Sequence, residues 1–367
     1  MPLMSDRLDI LKRIKKLDHQ DMGAAIQDCP QQIVRLLDAT GAWKPRATEQ
    51  APKQVLYMGM GGSAIGGDMA RVWVERQSKV PMWVQRGYDV PEWVGPGTLA
   101  VASSYSGNTE ETLSAVEQAA ERGASVIAVA SGGELLEQAE GQGWKVIKLP
   151  GGLQPRAAIG YSLAAIGQVL VAHDVLPEST LDELRAGASQ MAAEGMRWAD
   201  PGDATNQPLQ LAGLIGDRLP VIYGSSGSTE ALAIRLRGQL AENSKLLASH
   251  HLLPEQNHNE IVGVAARVRE RHDLLIFWLT DTDDHPRVQL RRSLAGGLMG
   301  IAPSDAAQPP QQVTMSGTGS SLIQRNLSLL HQIDWLSYYA ALIRGWDPSA
   351  IDVLTELKIQ LGTPGQE

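Results

Sequence analysis

The chain has 367 residues, 43% hydrophobic and 20% charged, with 41 acidic against 32 basic side chains for a net charge of −9. At ~150 residues per domain this length predicts two domains, each with enough apolar side chain for a core. The acidic balance argues against nucleic acid or an anionic membrane as partner. The single cysteine, Cys29, excludes an internal disulfide and a cysteine-built metal site, and fits a reducing, cytoplasmic setting.

The opening MPLMSDRLDILKRIKKLDHQ mixes charge into every turn and is read as no secretory leader. Apolar residues there recur at helical spacing, first Leu8, Ile10, Leu11, Ile14 and Leu17, then Ile26, Ile33, Leu36 and Leu37. A polar linker follows at 43–52. Next come five short, nearly all-apolar runs, QVLYM (54–58), VPMWV (80–84), TLAVA (98–102), SVIAVA (125–130) and WKVIKL (144–149). Amphipathic stretches such as 64–76 and 110–122 separate them. Continuous apolar strands alternating with helices predict a parallel sheet covered on both faces. A helix over 157–173 closes this unit; its apolar stretch 160–172 is too short to span a bilayer.

After Pro177 and a polar helix at 181–197, the pattern recurs. PVIYG (220–224) and SSGSTEALAIRLRGQLAE repeat the strand, Gly/Ser turn and helix of YMGMGGSAIGGDMARVWVE. DLLIFWLT (273–280) and QQVTMS (311–316) are further strands. A Pro/Gln-rich loop at 302–311, a long helix at 320–344 and a last helix at 349–360 complete the chain. The expectation is two tandem α/β sandwich domains with parallel sheets, 1–176 and 177–367, flanked by N-terminal helices and a C-terminal helix.

Two loops at strand ends are chemically suggestive. Gly59-Met60-Gly61-Gly62-Ser63-Ala64 lets backbone approach a ligand and offers the unpaired amides of a helix start to an anion. It also satisfies a dinucleotide pattern, but the next strand ends in Gln85-Arg86 rather than in the carboxylate that binds ribose. Ser103-Ser104-Tyr105-Ser106-Gly107-Asn108-Thr109 supplies three further hydroxyls, Ser104, Ser106 and Thr109, where a helix begins, with Asn108 and Glu111 spaced as a capping box. Hydroxyls plus helix amides suit a phosphate monoester. Pro155-Arg156 follows the fifth strand and reads either as an arginine that clamps a phosphate or polarises a hydroxyl, or as a surface arginine. Glu242, one acidic residue among 41, and His258, within Glu255-Gln256-Asn257-His258-Asn259-Glu260, stay open as base and acid or as solvated surface. His250-His251 has no metal-ligand spacing, and no metal or other cofactor is expected.

Taken together, VLYMGMGGSA, VASSYSGNTEET, Pro155-Arg156, AENSK and QNHNE resemble the bifunctional phosphoglucose/phosphomannose isomerases of the sugar-isomerase (SIS) domain superfamily, from about Pro52 to Leu361. The resemblance implies a phosphorylated hexose substrate, glucose 6-phosphate or mannose 6-phosphate interconverting with fructose 6-phosphate. It places phosphate binding on Gly62, Ser63, Ser104, Ser106 and Thr109, the general base on Glu242 and the active-site arginine on Arg156. It also implies a ring-opening His258 given across a homodimer interface, and a C-terminal lysine, Lys358. Where the family usually has asparagine before the glutamate, this chain has Ala241. The alternative within the superfamily is a non-catalytic sugar-phosphate sensor, which would have no reason to hold Glu242, His258 and Lys358 together.

Overall fold

Two amphipathic helices, α1 (Met4–Leu17) and α2 (Met22–Thr40), precede the first sheet. The computed structural model describes residues 4–41, 43, 51–270, 274–300 and 310–362. The linker at 43–52 and the loop at 302–311 fall largely outside the described residues. The first unit then runs β1 (Gln54–Met58), α3 (Gly61–Gln77), β2 (Met82–Gln85), β3 (Thr98–Ser103), α4 (Glu110–Glu121), β4 (Ser125–Ala130), α5 (Glu134–Gln142), β5 (Lys145–Lys148) and α6 (Ile159–Ala172). Its strands lie all parallel in the order β2-β1-β3-β4-β5.

The second unit follows α7 (Ser179–Trp198) and α8 (Gln207–Ile215). It runs β6 (Leu219–Ser225), α9 (Glu230–Ser244), β7 (Ser249–Leu253), α10 (Glu260–Glu270), β8 (Leu274–Thr280), α11 (Pro286–Met299), β9 (Gln311–Ser316), α12 (Leu322–Arg344) and α13 (Asp352–Leu361). Its parallel strands are ordered β7-β6-β8-β9. The expected tandem of two parallel α/β sheets is therefore what the chain forms. Among the described residues no helix is long and apolar enough to cross a membrane.

The reason the strands read as unbroken apolar runs is visible in the packing. Successive side chains of a strand face opposite ways, so Val55, Tyr57, Leu99 and Val101 join one core while Leu56, Met58, Ala100 and Ala102 join a second beneath α4 and α5. In the second sheet Ile222, Leu275, Phe277 and Leu279 enter the same first core, and Val221, Tyr223, Ile276 and Trp278 a third. One core is thus shared between the two sheets, filled by α2, α3, α6, α7, α9 and α12. Helix α12 is buried on nearly every side, as a helix between two layers must be. Ser321 caps its start by accepting from Gln324 N (3.3 Å), and Gly345, at φ 80°, ends it.

Several expectations shift. The helix expected from 157 begins at Ile159, because Pro155–Ala157 forms a separate 3-10 turn. The last helix begins at Asp352 rather than 349. Cys29 is free and buried, and burial pushes its thiol up to about 12, so it is an inert core side chain. α8, β7, α10 and α11 are not among the elements the sequence predicts.

Polar groups inside the shared core join α9 to α12. Arg235 donates to Asp334 through Nε (2.8 Å) and Nη2 (2.6 Å), and Gln239 donates to the same carboxylate (2.8 Å). Removing one member of a buried pair strands the other charge, at roughly 3–5 kcal/mol. Asp334→Ala is expected to lower stability by about that amount; the check is a urea transition whose midpoint falls while its slope stays constant.

Candidate active site

In both sheets the strand order reverses between the first and third strands of the unit, β1 and β3 in one, β6 and β8 in the other. Loops leaving the carboxyl ends of those strands splay apart and form a crevice. The first crevice holds the hydroxyl loops. Helix α3 starts at Gly61 without a side-chain cap, and its first intrahelical bond is Ala64 N to Met60 O (3.1 Å). The amides of Gly61, Gly62 and Ser63 are therefore the unfilled donors of a helix start. Ser63 Oγ accepts from Tyr105 N (3.3 Å), which ties this loop to the one after β3. There Ser104 Oγ accepts from Gly107 N (3.1 Å) and shares a hydrogen bond with Thr109 Oγ1 (2.8 Å), while Ser106 Oγ accepts from Asn108 N (3.3 Å).

The capping-box expectation is corrected here. Thr109 stands at the N-cap position of α4 without a side-chain cap hydrogen bond, and the side chain of Asn108 turns away to accept from Glu134 N (2.9 Å), the first amide of α5. Gly107 and Gly133 make that approach possible. A methyl on Gly107, at φ 75°, would sit 1.8 Å from Gly132 O, and one on Gly133, at φ 73°, would sit 2.4 Å from Asn108 Oδ1.

Donor accounting separates this crevice from its counterpart. Ser63 and Ser106 accept from amides and donate to no group among the described residues, and the Ser104–Thr109 pair uses only one of its two protons. Those remaining hydroxyl protons are what a phosphate needs. In the second unit the hydroxyls of Ser225 (3.0 Å) and Ser228 both donate to Asp284, and Thr229 Oγ1 donates to Leu279 O (3.1 Å). That loop is filled by the protein's own carboxylate. At the end of β2, Arg86 is paired with Asp68 (3.1 Å), so the place a dinucleotide binder gives to a carboxylate holds a neutralised cation.

The exit of β5 is drawn to the same crevice by Tyr105, whose hydroxyl donates to Pro150 O (2.9 Å) and accepts from Leu153 N (3.1 Å). Arg156 follows and is buried. Its Nε donates to Asn243 Oδ1 (2.7 Å) and its Nη2 to Pro348 O (2.8 Å) and Ser349 O (3.1 Å). Nη1 lies 3.4 Å from Glu242 Oε2, and the Glu242 side chain is 31% exposed. Gly62 presses on this segment: a methyl there would meet Arg156 Cα at 3.0 Å and Pro155 O at 3.1 Å. The open hydroxyl loop, the arginine and the carboxylate are thus contiguous. Burial lowers the pKa of Arg156, opposed chiefly by the charge of Glu242. Lys245, at φ 52° where α9 ends, is lowered by burial and then by Arg156, opposed by Asp347, Asp352 and Glu242. Its ammonium donates to Asn243 O (3.1 Å) and to Asp347 O.

His258 and Lys358 are placed differently. His258 is exposed on the 3-10 turn Glu255–His258 that follows β7. Lys358 is exposed on α13, a helix with no buried residue. Among the described residues neither hydrogen-bonds nor ion-pairs with Glu242 or Arg156. Ala241 exposes its methyl on the outside of α9. Sequence reasoning gave no role to Asn243, Lys245 or the Pro348 and Ser349 carbonyls; Asn243 and Lys245 were marked only by their place in AENSK beside Glu242.

A tandem of parallel sheets with one open hydroxyl loop at a switch point defines a two-domain protein of the sugar-isomerase type. Residues 50–139 match the SIS domain model, and residues 204–361 match the bacterial phospho-glucose isomerase C-terminal SIS domain. The bifunctional phosphoglucose/phosphomannose isomerase of Caldicellulosiruptor bescii is 36% identical, over 93% of this chain and 98% of its own length. That of Aquifex aeolicus is 32% identical, over 87% and 94%. In fold, the C-terminal domain of glucosamine-fructose-6-phosphate aminotransferase from Francisella tularensis is similar at a TM-score of 0.69 and 17% identity, over 90% of this chain and 98% of that one. The chain belongs to the bifunctional phosphoglucose/phosphomannose isomerase family.

The hydroxyl loop depends on Gly107. Gly107→Ala is expected to destabilise the protein by at least ~1–3 kcal/mol through overpacking and to abolish phosphate-dependent thermal stabilisation, read by melting with and without inorganic phosphate.

Proposed function

We propose that the protein interconverts glucose 6-phosphate and mannose 6-phosphate with fructose 6-phosphate. The observation that carries this reading is the carboxylate of Glu242 set 3.4 Å from the buried Arg156 guanidinium, on a surface continuous with open hydroxyl and amide donors. The phosphate docks on Gly62, Ser63, Ser104, Ser106 and Thr109. Glu242 removes the proton from C2 of the open-chain aldose, and the electron pair moves through the new C1–C2 double bond onto O1. Arg156 stabilises the charge developing on that oxygen. The protonated Glu242 then returns the proton to C1 as the O2 proton passes to O1, which leaves O2 as the ketone and O1 as a hydroxyl. The two C2 epimers share the same cis-enediol, which accounts for two aldose substrates and one ketose.

Ring opening is assigned to His258 of a second protomer, with Lys358 assisting proton transfer at the ring and O1 oxygens. Support for a homodimer comes from exposed apolar side chains on α10, α11 and α13. On α11, Leu290, Leu294 and Leu298 form a stripe at helical spacing that is 45–57% exposed, and Val262 on α10 is 73% exposed. On α13, Val353, Leu357 and Ile359 are 50–86% exposed. Residues 1–176 would then supply the phosphate loops and Arg156, and residues 177–367 the base and the histidine. The free Cys29 supports a cytoplasmic setting.

Glu242→Gln is expected to reduce kcat by ~10²–10⁴-fold, the usual worth of a general base, while binding of the sugar phosphate persists. Loss of C2 hydrogen exchange with solvent checks the role; exchange near the wild-type rate would remove Glu242 from it. Wild-type protein that binds hexose 6-phosphate without turnover would instead be a sensor. Mixing Glu242→Gln with His258→Ala protein is expected to recover part of the activity in heterodimers, measured after refolding the mixture, because one site of each heterodimer then holds both intact groups.

A further inference from the structure

We propose that Asn243 is a positioning residue for this reaction, a neutral acceptor that aims Arg156 at the enediolate without quenching its charge. The inference rests on the isomerase reading above and adds a residue to it.

A guanidinium has five N–H donors in a fixed fork. In Arg156 three of them are taken: Nε by Asn243 Oδ1 (2.7 Å) and Nη2 by the carbonyls of Pro348 (2.8 Å) and Ser349 (3.1 Å). Only Nη1 is left to face Glu242 and the crevice. Asn243 is fully buried, and its other end is fixed as well. Its Nδ2 donates to Ser337 Oγ (2.9 Å), which donates onward to Asp334 O (2.8 Å). With the amide reversed, its NH₂ would face the Arg156 Nε proton, so the network permits one orientation.

The buried arginines among the described residues, Arg156, Arg235 and Arg325, show why the acceptor is an amide. Arg235 is held by both oxygens of Asp334, at 2.8 and 2.6 Å. Arg325 is held by Asp281, at 2.8 and 2.9 Å, and by Asp283 at 2.6 Å. Both are neutralised structural cations. All three direct hydrogen-bond acceptors of Arg156 are uncharged, and the carboxylate beside it, Glu242 at 3.4 Å from Nη1, loses its charge on taking the C2 proton, so the guanidinium charge is then available for the oxygen that becomes negative. Backbone carbonyls cannot be changed by a side-chain substitution, which makes Asn243 the testable member.

The experiment is steady-state kinetics and sugar-phosphate binding on Asn243→Ala and Asn243→Asp, each alone and with Arg156→Lys, with Glu242→Gln as a control. Asn243→Ala is expected to lower kcat ~10- to 100-fold, the worth of a lost hydrogen bond to a charged group, with KM within about twofold because the phosphate loops are untouched. Asn243→Asp keeps the shape and the acceptor for Arg156 Nε but loses the donor to Ser337 Oγ, so its melting temperature is measured beside the kinetics to separate a folding loss from a catalytic one. It is expected to lower kcat as well, because its carboxylate pairs with Arg156. Neither change should cost further activity in the Arg156→Lys background, since Asn243 acts through that guanidinium. Wild-type kcat in both single variants, or equal losses with and without Arg156, would overturn the proposal. If Glu242→Gln itself retained wild-type kcat, the isomerase reading would fall instead.

Discussion

Burying the guanidinium of Arg156 is the constraint on which the rest of the site depends. An arginine cannot shed its proton in a protein, so its desolvation must be met with hydrogen bonds or it will not stay buried. The groups that meet it lie 87, 192 and 193 residues away along the chain. They come from the end of α9 and from the connection between α12 and α13. Arg235, itself anchored on Asp334, donates to Arg156 O (3.1 Å) and holds the backbone as well. The two α/β units and the C-terminal segment must therefore all be in place before the arginine is satisfied. Assembly of the site and completion of the shared core are one event.

The same bookkeeping explains why a tandem repeat carries one open anion loop rather than two. Both units place hydroxyls at the switch point of a parallel sheet, so topology alone would allow two binding crevices. The second loop spends its protons on Asp284 and on a backbone carbonyl. The first accepts from amides and keeps protons to give. Duplication of a fold thus leaves function to be decided by which hydrogen bonds are already made, a matter of side-chain chemistry and not of architecture.

What was legible in the sequence follows from how local its cause is. β1, β3, β4 and β8 read correctly because both faces of a parallel sheet are covered, so burial writes itself as an unbroken apolar run. α12 read as a single helix because its capping serine and terminal glycine are local signals. The hydroxyl loops were legible for the same reason, as glycines and serines clustered at strand ends. Asn108 was misread because its partner, Glu134 N, lies 26 residues on, and a local cap looked sufficient. β7 reads SHHLL, too polar to announce a strand. Arg156 was identifiable by resemblance alone: a lone arginine after a strand carries no local mark of burial, and Asn243, Pro348 and Ser349 meet it only through tertiary packing.

The division of labour between the units also bears on catalysis. A hexose 6-phosphate carries its anchor at one end and its reacting carbons at the other, so phosphate binding energy aids the chemistry only if the distance between anchor and base is held. Here the open hydroxyl loop belongs to the first unit and Glu242 to the second. Gly62 closes the gap, because its missing side chain lets the start of α3 lie directly on the Pro155–Arg156 backbone. Arg156 then reaches across to α9 through Asn243 and to the α12–α13 connection through two carbonyls. The chain of contacts from the hydroxyl loop to Glu242 runs through packed backbone and the buried hydrogen bonds of Arg156 and Asn243. In the proposed reaction a substrate spanning this seam would have its C2 proton presented to the carboxylate of one unit by the binding of its phosphate to the other.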